Sequence, residues 1–124
     1  TETPTAAGRD GGAWSVAPRW RPVRKGTIAL GPGKADLLSA IGETGSISAA
    51  ARALGMSYRR AWVLVATINE CFRRPVVSTS ARRSAGASLS PVGRAALALY
   101  RRIEEKSLAS SRREIDALRR RLRS

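Results

Sequence analysis

The sequence predicts a mainly α-helical chain with one small β-hairpin, and three observations carry that prediction. Apolar residues recur at helical spacing along Leu37, Leu38 and Ile41, along Ala61, Leu64, Val65, Ile68 and Phe72, and again from Val92 onward. Glycines and small capping residues punctuate these stretches. A single β-branched run, Val76 to Ser80 (VVSTS), leads into the small, basic segment Ala81 to Ala87 (ARRSAGA) and a short second strand at Ser88 and Leu89. At 124 residues the chain suits one domain with appended elements. We divide it into a basic, largely irregular arm (1–26), a helical body with its hairpin (27–90) and a C-terminal dimerisation helix (91–124).

The arm is rich in Gly, Pro, Thr and Ala and shows no lasting apolar period. Trp14 and Trp20 are interleaved there with Arg19, Arg21, Arg24 and Lys25. Either the segment tracks a phosphate backbone or a minor groove, or its tryptophans pin it to the body. Thr27 to Leu30 (TIAL) reads as a short strand able to pair with later ones. Lys34 to Glu43 follows as a helix that Thr44-Gly45 ends.

The next two helices organise the rest. Ser46 or Ser48 caps the first, and both are candidate DNA contacts; its alanines (Ala49, Ala50, Ala51, Ala53) favour helix and leave a smooth face for a close neighbour. Gly55 stops it in a left-handed conformation, and Met56 packs inside the corner. Ser57 caps the second helix, which turns Ala61, Leu64, Val65, Ile68 and Phe72 inward. Its other face carries Tyr58, Arg59, Arg60, Trp62 and Val63. Arginine can pair with guanine O6 and N7, and helix N–H groups can hold a phosphate, so this face suits a major-groove reader. The alternative is an ordinary helical pair with a solvated basic face.

Placed after that helix, the hairpin reads as a wing, with Arg82, Arg83 and Ser84 at its tip to touch phosphate or enter a narrow minor groove. A floppy basic loop is the other reading. Ser90-Pro91 then opens the last helix. Val92, Ala96, Leu99 and Ile103 recur at spacings of four and three, and Ile115, Leu118 and Leu122 resume the rhythm. Such a seam suits a homodimer, or packing within the chain. Between them, at Lys106 to Ser111, the seam lapses, and Ser111 with Glu114 forms a possible capping box where the helix restarts. The fold expected is thus a winged helix-turn-helix plus a long C-terminal dimerisation helix.

The chain has 23 basic and 9 acidic residues, a net charge of +14, which favours a polyanionic partner: double-stranded DNA first, an anionic membrane second. No run of about 18 apolar residues is present to span a bilayer, and the N-terminus lacks a secretory pattern, so a cytoplasmic, nucleoid-associated protein is expected. Histidine is absent and cysteine occurs once. That excludes a zinc site, a Cys/His nucleophile pair and a His general base, so neither an enzyme, a metal nor a cofactor is expected. Cys71, beside Phe72, reads as a buried structural thiol. The arginines at 112, 113, 119, 120, 121 and 123 read as a solvated face or tail that stays available to DNA.

Residues 27 to 105 resemble the winged-helix domain of the LysR-type regulators, and more closely that of the molybdate-responsive ModE regulators. The residues that carry the likeness are Gly45-Ser46-Ile47-Ser48-Ala49-Ala50-Ala51 with Leu54-Gly55, the run Met56-Ser57-Tyr58-Arg59-Arg60-Ala61-Trp62 through Asn69, and Leu89-Ser90-Pro91-Val92-Gly93. The resemblance implies a bacterial transcription factor that dimerises through its last helix and reads a palindromic operator. By position it assigns DNA contact to Ser57, Tyr58, Arg59, Arg60 and Trp62, and the wing to Arg82 and Arg83. ModE regulators carry molybdate on C-terminal domains that nothing here resembles, so molybdate or another oxyanion is not an expected ligand. The alternatives are a nucleoid-associated DNA compactor of low sequence specificity, or a module docking an acidic protein.

Overall fold

The computed structural model describes residues 17–79 and 86–123. Among these the chain is mainly helical, with two small antiparallel strand pairs. It divides into two compact units: Arg21–Ala98, and the segment ending at Trp20 together with residues from Leu99 onward.

The first unit opens with β1 (Val23–Arg24) and β2 (Thr27–Ile28), paired in the register Val23 to Ile28 and Arg24 to Thr27. The expected strand at Thr27 exists, but its partner precedes it, within the segment read as irregular. Lys25 and Gly26 both have positive φ (50° and 80°), the geometry of a tight two-residue hairpin turn. Lys-Gly is a weaker turn signal than Asn-Gly.

Helix α1 (Pro32–Thr44) begins two residues before the expected start. Proline at the first turn has no N–H to leave unpaired, so it opens a helix at no cost. Ala35, Leu37, Leu38 and Ile41 are fully buried and form the centre of the core. Helix α2 (Ile47–Ala53) is capped by Ser46, whose Oγ accepts from Ala49 N at 3.1 Å. Ala50 and Ala51 are buried, and their small side chains let α2 pack closely on both α1 and α3 (Tyr58–Cys71). The corner between α2 and α3 is closed by backbone bonds: Met56 N donates to Ala51 O (3.0 Å) and Gly55 N to Arg52 O (3.2 Å). This pattern requires a left-handed residue, and Gly55 supplies it at φ 69°.

Ser57 caps α3 through Arg60 N (3.1 Å), and Ala61, Val65 and Ile68 are buried against the other two helices. Leu64 and Phe72 of the expected stripe are half-buried, as is Cys71, which is therefore less enclosed than expected. Strands β3 (Val77–Thr79) and β4 (Ala87–Leu89) pair in the register Val77 to Leu89, Ser78 to Ser88 and Thr79 to Ala87. Val77 and Ala87 are buried while the paired Ser78 and Ser88 are exposed, the alternation of a sheet covered on one face, and Thr79 at the open end of β3 departs from it by being exposed.

Helix α4 (Pro91–Ser110) starts at the predicted cap, with Ser90 Oγ accepting from Gly93 N at 3.0 Å. Helix α5 (Arg112–Arg119) follows a single turn residue, Ser111. The capping box expected there does not form, because the Ser111 side chain makes no cap bond. Backbone bonds instead carry the ladder onward: Ser111 N donates to Ser107 O (3.1 Å) and Leu108 O (3.3 Å), and Ile115 N donates to Ser111 O (2.9 Å).

In the second unit the buried line of α4 runs through Tyr100, Glu104 and Leu108, one residue around from the expected seam. The Tyr100 hydroxyl donates to Trp20 O (2.6 Å), and Trp20 Nε1 donates to Ser107 Oγ (2.7 Å). Trp20 is thus tied to α4 and not to the body at 27–90, whereas Trp14 lies outside the described residues. Glu104 is buried beside Arg101, whose Nη1 lies 3.1 Å from its Oε1.

Candidate nucleic-acid interface

The face that the sequence singles out is built by the opening turns of α3. Tyr58, Trp62 and Val63 are 54%, 38% and 57% exposed, and Arg59 and Arg60 are exposed beside them. The reason is geometric, since Ala61, Val65 and Ile68 take the buried side of the helix and commit the opposite side to solvent. The rings of Tyr58 and Trp62, one helical turn apart, meet edge to face with centroids 6.1 Å apart and planes at 79°. The pair sets two aromatic edges side by side on the exposed face of the helix.

Ser46 and Ser57 stand at the two helix starts, their oxygens engaged as acceptors by the caps. A hydroxyl that accepts in a cap keeps its own O–H to donate outward, for instance to a phosphate. Ser48 accepts from Arg52 Nη1 at 2.9 Å, which holds that guanidinium along α2. Arg82, Arg83 and Ser84 lie outside the described residues.

The base of the second hairpin is fastened at three places that the sequence did not reveal. Asn69, near the end of α3, accepts from Val76 N (2.7 Å) and Val77 N (3.1 Å) through Oδ1 and donates to Val77 O (3.3 Å) through Nδ2. Ala87 N donates to Gly45 O at the end of α1 (2.9 Å). Ser90 N donates to Val76 O (2.9 Å) and Ser90 Oγ to Pro75 O (2.6 Å) at the start of α4. Two glycines make these approaches possible. A Cβ on Gly86 would fall 2.3 Å from Gly45 O, and one on Gly93 would fall 2.2 Å from Val76 O, both backbone atoms with little room to move. The signals for Asn69 and Gly93 were present, an amide in the last turns of an otherwise apolar helix and a helical glycine just after a cap, but each needs a non-local partner to be read.

Of the expected seam, Leu99, Ile103 and Leu118 are 61%, 44% and 56% exposed, while Val92, Ala96, Ile115 and Leu122 are half-buried. Among the described residues no group of three or more His, Cys, Asp or Glu gathers to hold a metal ion, and no helix is long and apolar enough to cross a membrane.

Comparison with known proteins places these features in context. No protein-family model matches the chain. It is 44% identical over 77 residues to the molybdenum-pterin-binding protein MopB of Rhodobacter capsulatus, which spans 60% of this chain and 28% of that protein. It is 35% identical over 83 residues to MopA of the same organism (65% and 31%), and 37% identical over 78 residues to the molybdenum transport protein ModE of Azotobacter vinelandii (61% and 29%). The chain thus spans less than a third of the length of these curated relatives. They carry names of binding and transport proteins and not of enzymes, in line with a non-enzymatic chain. They also overturn one expectation. Molybdate was set aside as a ligand for want of recognisable oxyanion domains, yet all three relatives are named for molybdenum.

Proposed function

We propose that this chain is the DNA-binding part of a molybdenum-linked transcriptional regulator, a ModE-like winged helix-turn-helix of the LysR type. Helix α3 enters the major groove, the tip of the second hairpin reaches the adjacent backbone or minor groove, and two copies joined along Leu99, Ile103 and Leu118 read a palindromic operator. The observation that carries this reading is the outward face of α3: two arginines, two aromatics and a valine exposed at the N-terminal end of a 14-residue helix, on a chain of net charge +14. A helix presented this way offers base-edge donors, and its first N–H groups favour phosphate. Asn69, Gly45 and Ser90 support the same reading, because they fix the hairpin beside that helix.

Replacing Arg59 and Arg60 together by Ala tests the assignment. Each bidentate contact is worth about 1–3 kcal/mol, so DNA affinity should fall on the order of 100-fold. Helical circular dichroism and sedimentation should stay unchanged, and an unaltered affinity would remove α3 from the interface. The molybdenum link rests on the relatives' names. It predicts that promoter occupancy in cells changes when molybdate is supplied; occupancy indifferent to molybdate contradicts it.

A further inference from the structure

Val63 is 57% exposed in the interior of α3. A β-branched side chain restricts its own rotamers in a helix, and this one gains little burial to offset that cost. Successive residues turn about 100° around a helix axis, so Arg59, Val63 and Ala66 form the outermost line, opposite the buried Ala61, Val65 and Ile68. Tyr58 and Trp62 flank that line on one side and Arg60 on the other. The result is a short apolar strip of Val63 and Ala66, with Arg59 before it and Glu70 after it on the same line.

An anionic membrane would meet both features, but a helix lying on lipid buries its main apolar face there, and that face of α3 is already taken by the core. Phosphate explains the arginines and leaves the strip unexplained. In the major groove of DNA the one apolar group on a base edge is the 5-methyl of thymine. We propose that α3 reads thymine methyl groups, with Val63 and Trp62 as the specificity-determining side chains and Arg59 setting the helix in register. This rests on the reading of α3 as the groove-entering helix.

The test starts from a duplex pool with about 20 randomised base pairs, room for two half-sites one helical turn apart. The whole chain selects its preferred duplex, which is then synthesised with deoxyuridine at each thymine in turn, removing one methyl and nothing else. At one or more positions affinity should fall about fourfold, the value of one buried carbon. Val63→Ala should bind the thymine duplex more weakly by a similar factor and lose its sensitivity to uracil at that position. Alanine is the better helix former, so this variant keeps its fold, which melting confirms. Tolerance of uracil at every position, or a Val63→Ala protein that still discriminates, overturns the proposal while leaving DNA binding by α3 intact. A pool that yields no enriched duplex defeats the underlying reading as well.

Discussion

Helix α3 and the outer stripe of α4 and α5 both leave large apolar side chains in solvent with cations beside them, but the apolar groups themselves differ. On α3, Tyr58, Trp62 and Val63 stand beside Arg59 and Arg60, and the aromatic pair meets edge to face. On α4 and α5, Leu99, Ile103 and Leu118 are exposed to a similar degree, and they are aliphatics, two on α4 and one on α5. Aromatic and cationic groups together suit a polar, charged partner that has some apolar features. An aliphatic row suits another helix of the same kind. Neither exposure nor neighbouring charge distinguishes the two, since Arg102 and Lys106 stand exposed beside Leu99 and Ile103; the kind of apolar side chain does.

That contrast can be broken from either side. The largest effect is expected from Leu99→Asp with Ile103→Asp, because carboxylates carried into an apolar seam are costly to desolvate. Self-association should weaken by on the order of 10³ or more, with the helical content retained, and sedimentation would show monomers. If the double variant remains dimeric, the aliphatic row is not the seam. A smaller effect is expected from Gly93→Ala, which asks whether the hairpin beside α3 is held by close backbone approach. The new Cβ would sit 2.2 Å from Val76 O, so the start of α4 and the hairpin base must part. Thermal unfolding should show a loss of about 2–3 kcal/mol, within the range seen for overpacked sites. An unchanged melting temperature would mean that the hairpin base yields easily and positions nothing.

What could be read from the sequence follows the range of the interactions involved. Ser46, Gly55 and Ser57 act within a turn or two of themselves, and their roles as caps and stop are those expected. The inward face of α3 was legible for the same reason, since burying Ala61, Val65 and Ile68 depends on helical period alone. The hairpin fastenings were not legible. Gly86 is constrained by Gly45, and Gly93 by Val76, across stretches of chain that no local pattern connects. The buried line of α4 was missed because Tyr100 and Glu104 are polar in name; one is buried with its hydroxyl on Trp20 O and the other with its carboxylate against Arg101. A search for apolar rhythm passes over such residues. The expectation against molybdate rested on the missing likeness to oxyanion-binding domains, whereas the relatives named for molybdenum match this chain over less than a third of their own length.

The central claim, that α3 reads base sequence, is met most directly by competition. A duplex selected by the protein is bound at moderate salt and challenged with unrelated DNA in excess. Sequence reading predicts a preference on the order of 10³ or more for the selected duplex. A preference near unity, with affinity collapsing steeply as salt rises, would contradict it and identify a DNA compactor held by phosphate contacts alone.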